Sequence, residues 1–184
     1  MKRCFWVNMD NPLYVDYHDF EWGVPKYDDH ELYELLILEM FQAGLSWETI
    51  LNKRENFRKA FDNFDPQKIV NYSEDKINGL MQDKGIIRNR RKIEATINNT
   101  KIFMDIQKEY GSFSNFIWSF TDKKIVYLDI SITHYELSDN IYKILKKKGM
   151  KFVGTTIIYS YLQAIGVINS HEATCFKGVN NGKN

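Results

Sequence analysis

Helix starts and stops recur along almost the whole of this chain and leave little room for a sheet. Asn11-Pro12 can cap a short helix through Tyr17. Asp28 followed by Glu31 has the polar-x-x-Glu form of a capping box, opening a helix to about Ala43 that Gly44 ends. Ser46 can cap Trp47 to about Phe61, and Asp65-Pro66 and Ser73 begin two shorter helices. A long helix is expected from about Arg88 to Glu109 ahead of Gly111, and Ser112 can cap an aromatic one through Trp118. Two more cover roughly Asp139 to Lys147 and Thr155 to Ile165, closed by Gly149 and Gly166. Only Lys124 to Ile132 alternates β-branched with polar residues, and a lone strand has nothing to pair with, so 120–138 reads as an irregular connector. The expected fold class is all-α.

Composition sets the outer bounds. With 184 residues, 43% of them hydrophobic, the chain can bury one sizeable core without disulfides, and no repeat or linker divides it, so 1–184 is expected to be a single domain and a monomer. Lys+Arg 25 against Asp+Glu 24 leaves a net charge of +1, which excludes a polybasic tail protein or an acidic disordered chain. Any nucleic-acid surface must be local. No window resembles a membrane span or a signal peptide, so a reducing cytoplasmic setting is expected, with cysteines as thiolates rather than a disulfide.

The two cysteines lie near opposite ends, each with a histidine close by: Cys4 with His18, and His171 with Cys175. A spacing of four would put His171 and Cys175 on one side of a helical turn, whereas Cys4 and His18 need an irregular loop to meet. Two thiolates and two imidazoles would make a closed tetrahedral zinc shell clamping the termini. The competing view is that both cysteines are small core hydrophobes and both histidines ordinary polar residues.

In the helix after Asp28, Leu32, Leu35, Leu36, Met40 and Ala43 form one stripe. Glu39 falls inside it, about 20° from Leu32 at ~100° per residue, where an unpaired charge would cost several kcal/mol. Either the carboxylate escapes to solvent or to a buried Arg, or a cationic, donor-bearing ligand meets it in a cavity. Trp6, Tyr14, Tyr17, Trp22 and Trp47 gather in the same part of the chain, and the run from Tyr14 to Trp22 alternates aromatic and polar residues as a loop lining a stacking pocket would. Acid beside aromatic planes suits a planar, electron-poor ring such as a methylated nucleobase.

Two turns could touch phosphate. Lys146 to Thr156 joins two helices through Gly149 and Gly154, with lysines at 146, 147, 148 and 151 and the N-terminus of a helix at Thr155. Gln82 to Ile87, followed by Arg88, Arg90, Arg91 and Lys92, has the same outline. A charge cluster on a helix is otherwise a solvated face.

Taken together, Cys4-Phe5-Trp6, Asp10 to Tyr14, Tyr17 to Pro25, Gln42 to Trp47, Lys53 to Phe57 and Lys151 to Thr156 closely resemble the 3-methyladenine DNA glycosylase I family over nearly the whole chain. The resemblance implies a helix-hairpin-helix DNA glycosylase fold, with the hairpin near 139–166 and a structural zinc on Cys4, His18, His171 and Cys175 joining segments 1–27 and 167–184. It implies a base pocket in which Glu39 reads the alkylated adenine, Tyr17 and Trp47 flank the ring, and Trp6, Tyr14 and Trp22 line the walls. It implies DNA contacts from Lys148, Gly149, Lys151, Gly154 and Thr155, and a loop at Gly44 and Leu45 that enters the duplex, Leu45 as the wedge. Many members of the wider superfamily carry a catalytic Asp beyond the hairpin, whereas Ser170 and His171 stand there in this chain, so the general base is unassigned. No lysine sits in a nucleophilic setting, which predicts base release without strand cleavage. The competing reading is a zinc-stabilised DNA-binding module without chemistry, its aromatics in the core and Glu39 paired internally.

Overall fold

The computed structural model describes residues 1–178. The C-terminal end of the expected metal-bearing segment, 179–184, lies outside them. Helix α1 (Pro12–Asp16) is followed by α2 (Asp29–Gln42), α3 (Trp47–Ala60), α4 (Pro66–Ile69), α5 (Glu74–Gln82), α6 (Arg90–Tyr110), α7 (Phe113–Ser119), α8 (Glu136–Lys147) and α9 (Thr155–Ala164). Side-chain caps from Asn11, Asp28, Ser46, Asp65, Ser73, Asn89 and Ser112 open seven of these. Local chemistry therefore decides where the chain turns. Because Asn89 is the cap, α6 begins two residues later than its arginine run suggests.

Helix α2 is the centre of the molecule. It touches α3, α6, α7 and α9, and every residue from Leu32 to Phe41 is buried, so the expected one-sided stripe is instead a helix enclosed all round. At its start, the Asp29 carboxylate accepts the backbone N–H groups of Phe113 at 2.9 Å and Ser114 at 2.8 Å, tying α2 to the first turn of α7.

Two expectations are corrected. The connector holds a short strand, β1 (Val126–Tyr127), which pairs in parallel with β2 (Ile168–Asn169), Val126 opposite Ile168. The partner is two residues long and carries no periodic signal, and it reaches the connector only because α8 and α9 fold back between them. The chain is thus mostly helical rather than wholly so. The run from Tyr14 to Trp22 is also not a loop: α1 continues into a wider helical turn, Tyr17–Glu21, closed by the Trp22 N–H donating to the Tyr17 carbonyl at 2.8 Å. Among the described residues, no helix is long and apolar enough to cross a membrane.

Candidate active site

A cavity of about 330 Å³ opens between the N-terminal segment, α2, α3, α9 and the connector, a size typical of small-ligand sites. Trp6, Tyr14, Tyr17, Trp22, Glu39 and Trp47 all line it, so the structure brings together every residue expected at the base pocket. The rings of Tyr17 and Trp47 lie 5.2 Å apart at 43°, and Trp6 lies 5.3 Å from Tyr14 and 5.0 Å from Trp22. The wide turn at Tyr17–Glu21 matters here: of two consecutive buried residues, Tyr17 faces the cavity while His18 faces the cysteines. Such a widened turn is a common device at functional sites.

Other lining residues went unrecognised in the sequence. Thr156, Tyr159, Ser160 and Gln163 form one polar stripe on α9, with the i, i+3, i+4, i+7 spacing that would have revealed it. Gln42 adds an amide from α2. Ile130, Ile132 and Thr133 come from the connector, whose sequence carries no signal for this role.

Two carboxylates are buried on α2, and their surroundings differ. Glu34 receives Arg54 Nε at 2.5 Å and Arg58 Nη2 at 2.7 Å; burial raises its pKa, but the two guanidinium groups outweigh that and hold it below the usual value. Glu39 is 4% exposed and makes no hydrogen bond or ion pair with any described residue, so burial alone pushes its carboxyl up to about 8. The internal pairing required by the non-catalytic reading thus belongs to Glu34. The Trp47 indole N–H is likewise buried beside the cavity with no partner among the described residues, while the Tyr159 hydroxyl is directed at Ser170. An acid and an indole N–H are therefore left for a ligand.

The cavity shares a wall with a second constellation. The ligand atoms of Cys4, His18 and Cys175 lie within 4.8 Å of one another, all three residues buried. His171 is outside that tight group, but its ring is 5.2 Å from that of His18, and its Nε2 is buried without a partner among the described residues. Residues 171–175 form a turn rather than the expected helical one. Each imidazole is oriented through Nδ1: His18 on the Asp19 carboxylate at 2.8 Å, itself gripped by Arg3, and His171 on the Asn169 side-chain oxygen at 3.0 Å. With Nδ1 donating to these oxygens, each Nε2 is the ring nitrogen available to a metal, the arrangement metal-bound histidines use. Burial pushes the Cys4 thiol up to about 12 and the His171 imidazole down to about 4, so both favour their neutral forms, and a dication would stabilise the thiolate. The donor set fits a tetrahedral zinc ion. Trp6 contacts His18 at 5.3 Å and Trp22 contacts His171 at 4.6 Å, so the same two indoles border both cavity and cluster.

The expected DNA-contacting residues occupy two turns and a loop. Between α8 and α9 the backbone is left-handed at Gly149 (φ 98°) and Phe152 (φ 55°), and Asn99 of α6 holds the turn from behind by both donating to and accepting from the Lys151 backbone. Lys151 and Gly154 are exposed, whereas Lys148 pairs with Glu109 at 2.5 Å. At the start of α6, Arg88 and Arg91 are exposed, Arg91 stacking 5.9 Å from the Phe152 ring, while Lys92 is buried. Between α2 and α3, Gly44 has φ 84° and Leu45 is 38% exposed.

The backbone closely matches solved structures. It is similar to the crystal structure of a 3-methyladenine DNA glycosylase I, with a TM-score of 0.92 and 45% identity over 97% of this chain and 100% of that one. A tyrosine-to-phenylalanine variant of a 3-methyladenine DNA glycosylase I, in complex with 3-methyladenine, matches at TM-score 0.90 and 37% identity over 95% and 96%. Helical scaffold and aromatic, acid-bearing cavity together define a DNA glycosylase. More narrowly, the methyladenine glycosylase family model matches residues 6–178, and DNA-3-methyladenine glycosylase 1 of Escherichia coli is 46% identical over 180 residues, 95% of this chain and 96% of its own. This chain belongs to the methyladenine glycosylase family.

Proposed function

We propose that this chain flips 3-methyladenine out of alkylated double-stranded DNA and hydrolyses its N-glycosidic bond, releasing the free base and leaving an abasic site. The observation that carries this reading is Glu39, buried, without a partner among the described residues and facing an aromatic cavity. Methylation at N3 places a positive charge on the purine while it is still attached to the sugar. As the bond to the sugar carbon breaks, its electron pair neutralises that charge and the base leaves as neutral 3-methyladenine; water adds to the sugar carbon and gives up a proton. The leaving group is activated before the enzyme meets it, so recognition can carry much of the catalysis.

Within that scheme Tyr17 and Trp47 stack on the flipped ring, Trp6, Tyr14 and Trp22 close the walls, and Glu39 accepts hydrogen bonds from the cationic base. An undamaged adenine brings no charge to offset the desolvated carboxylate, binds less well and leaves less readily. Poor stacking of the lesion lowers the cost of extrusion and adds selectivity at that step. The turn between α8 and α9 acts as a helix-hairpin-helix anchor on phosphate through Lys148, Gly149, Lys151, Gly154 and Thr155, and Gly44 and Leu45 enter the duplex, Leu45 filling the space left by the base. Base release proceeds without strand cleavage.

Cys4, His18, His171 and Cys175 hold one structural zinc ion, which supplies a clamp between the two ends of the chain and no reaction chemistry. The chain works as a single domain and a monomer, in the cytoplasm, consistent with two free buried cysteines. The test is Glu39→Ala: DNA affinity is expected to persist while release of 3-methyladenine from methylated DNA, followed by chromatography, is lost. Undiminished release would remove Glu39 from the mechanism.

A further inference from the structure

We propose that Lys92 is a positioning residue for the DNA-entering loop, holding the C-terminal end of α2 in the shape and charge state that duplex DNA requires. Resting on the reading above for Gly44 and Leu45, this assigns a role to a buried side chain that does not line the cavity.

Lys92 is 6% exposed, and its ammonium donates to the carbonyls of Phe41 and Ala43, each at 2.8 Å. Among the described residues it has no carboxylate partner. A buried ammonium without a counter-charge is costly, and burial lowers its pKa. Its place in its own helix adds to that cost: Lys92 lies in the first turn of α6, at the positive end of that helix's dipole. The position makes sense only from α2, whose final carbonyls carry the negative end of the dipole and whose Ala43 cap donates no backbone N–H back into the helix among the described residues.

Those carbonyls lie at the entrance to the loop. Ala43 takes one of the two bonds from Lys92, Gly44 follows at φ 84°, and Leu45 is then held by its carbonyl accepting from Gln42 Nε2 at 2.8 Å and its N–H donating to the Gln42 carbonyl at 2.7 Å. Gln42 also lines the base cavity. Lys92 therefore fixes the turn from beneath while Gln42 fixes it from the cavity side. A helix C-terminus presented to DNA without such a cation would aim partial negative charge at phosphates. Lys92 cancels it and prevents the last turn from fraying when Leu45 is pushed between bases.

The experiment compares Lys92→Met, which keeps the stem and removes donors and charge, with Lys92→Arg, which keeps both. Release of 3-methyladenine is measured from methylated DNA as native duplex and after strand separation, and binding of free 3-methyladenine is read by tryptophan fluorescence. In Lys92→Met the duplex rate should fall about tenfold or more, as small misplacements do. The single-strand rate and free-base affinity should stay within about twofold, and Lys92→Arg should recover most of the duplex rate. An equal fall on both DNA forms, or no fall, overturns the proposal. If Lys92→Met does not hold the free base, Lys92→Gln, which retains one donor without the charge, is judged by the same duplex-to-single-strand ratio. Should the wild-type chain release no 3-methyladenine from either form, it is the glycosylase reading that fails, not the role of Lys92.

Discussion

Nε2 of His18 lies 3.4 Å from Sγ of Cys175, across 157 residues of sequence. Cys4 completes the contact from the other terminus, and the His171 ring rests so closely on Gly23 that a β-carbon there would fall 2.7 Å from its Cε1. Gly23 also has φ 71°, a backbone conformation that side chains rarely adopt. One zinc per chain is therefore expected by elemental analysis. Gly23→Ala should displace His171, lower zinc content and reduce the melting temperature. A full zinc complement with an unchanged melting temperature in that variant would count against His171 as a ligand.

Removal of the metal should be felt in the base cavity. Because Trp6 and Trp22 border both sites, a strong chelator is expected to weaken binding of free 3-methyladenine while the helical circular dichroism signal persists. Unaltered affinity in protein shown to be metal-free would separate the two sites.

Glu39 should cost the protein stability in exchange for function. Its carboxyl titrates at about 8 in the folded state against an ordinary 4.5, so between these values the folded chain retains a proton that the unfolded chain has lost. Stability attributable to this group therefore falls as pH rises across that window and stays low above it. Glu39→Gln removes the titration and should raise the melting temperature at neutral pH, with a gain that grows from about pH 5 to pH 8. A gain independent of pH would contradict the burial argument.

The same titration should appear in catalysis. A cationic base favours the ionised carboxylate, so binding is coupled to proton release and the apparent kcat/KM should decline as pH falls below about 8. At low pH the slope approaches about tenfold per unit until the bound-state pKa is reached. Comparable pH dependence in Glu39→Gln would place the responsible group elsewhere.

Stacking should be separable from charge. Trp47→Ala is expected to weaken free-base binding by about 1–3 kcal/mol, the usual worth of an aromatic ring against a base. Trp47→Phe should restore part of it, leaving the loss of the unpartnered indole N–H as the remainder. Wild-type affinity in Trp47→Phe would deny the N–H a role, and identical affinities for the two variants would deny the stacking one.

The exposed lysine of the α8–α9 turn makes a different prediction. Lys151→Gln should weaken binding to damaged and undamaged duplexes alike and reduce the slope of log affinity against log salt by about one. A loss confined to alkylated DNA would place Lys151 in lesion recognition rather than on phosphate.

Much of this architecture is written in short-range chemistry. Asn11, Asp28, Ser46, Asp65, Ser73 and Ser112 announce their helices because capping needs only a side-chain oxygen within a few residues of unpaired N–H groups. Glu39 was conspicuous for a similar reason, as a charge at an apolar position on a helix whose period is known. Tertiary structure alone decided which of two buried carboxylates would be satisfied: Glu34 meets Arg54 and Arg58 from α3, while Glu39, five positions on, meets a cavity bordered by rings from the N-terminal segment, α3 and α9. It also brought Ile130, Ile132 and Thr133 to the cavity rim and gave Val126 a strand partner at Ile168. Those contacts join residues far apart in the chain, and a local pattern holds no information about which distant surface will arrive to complete it.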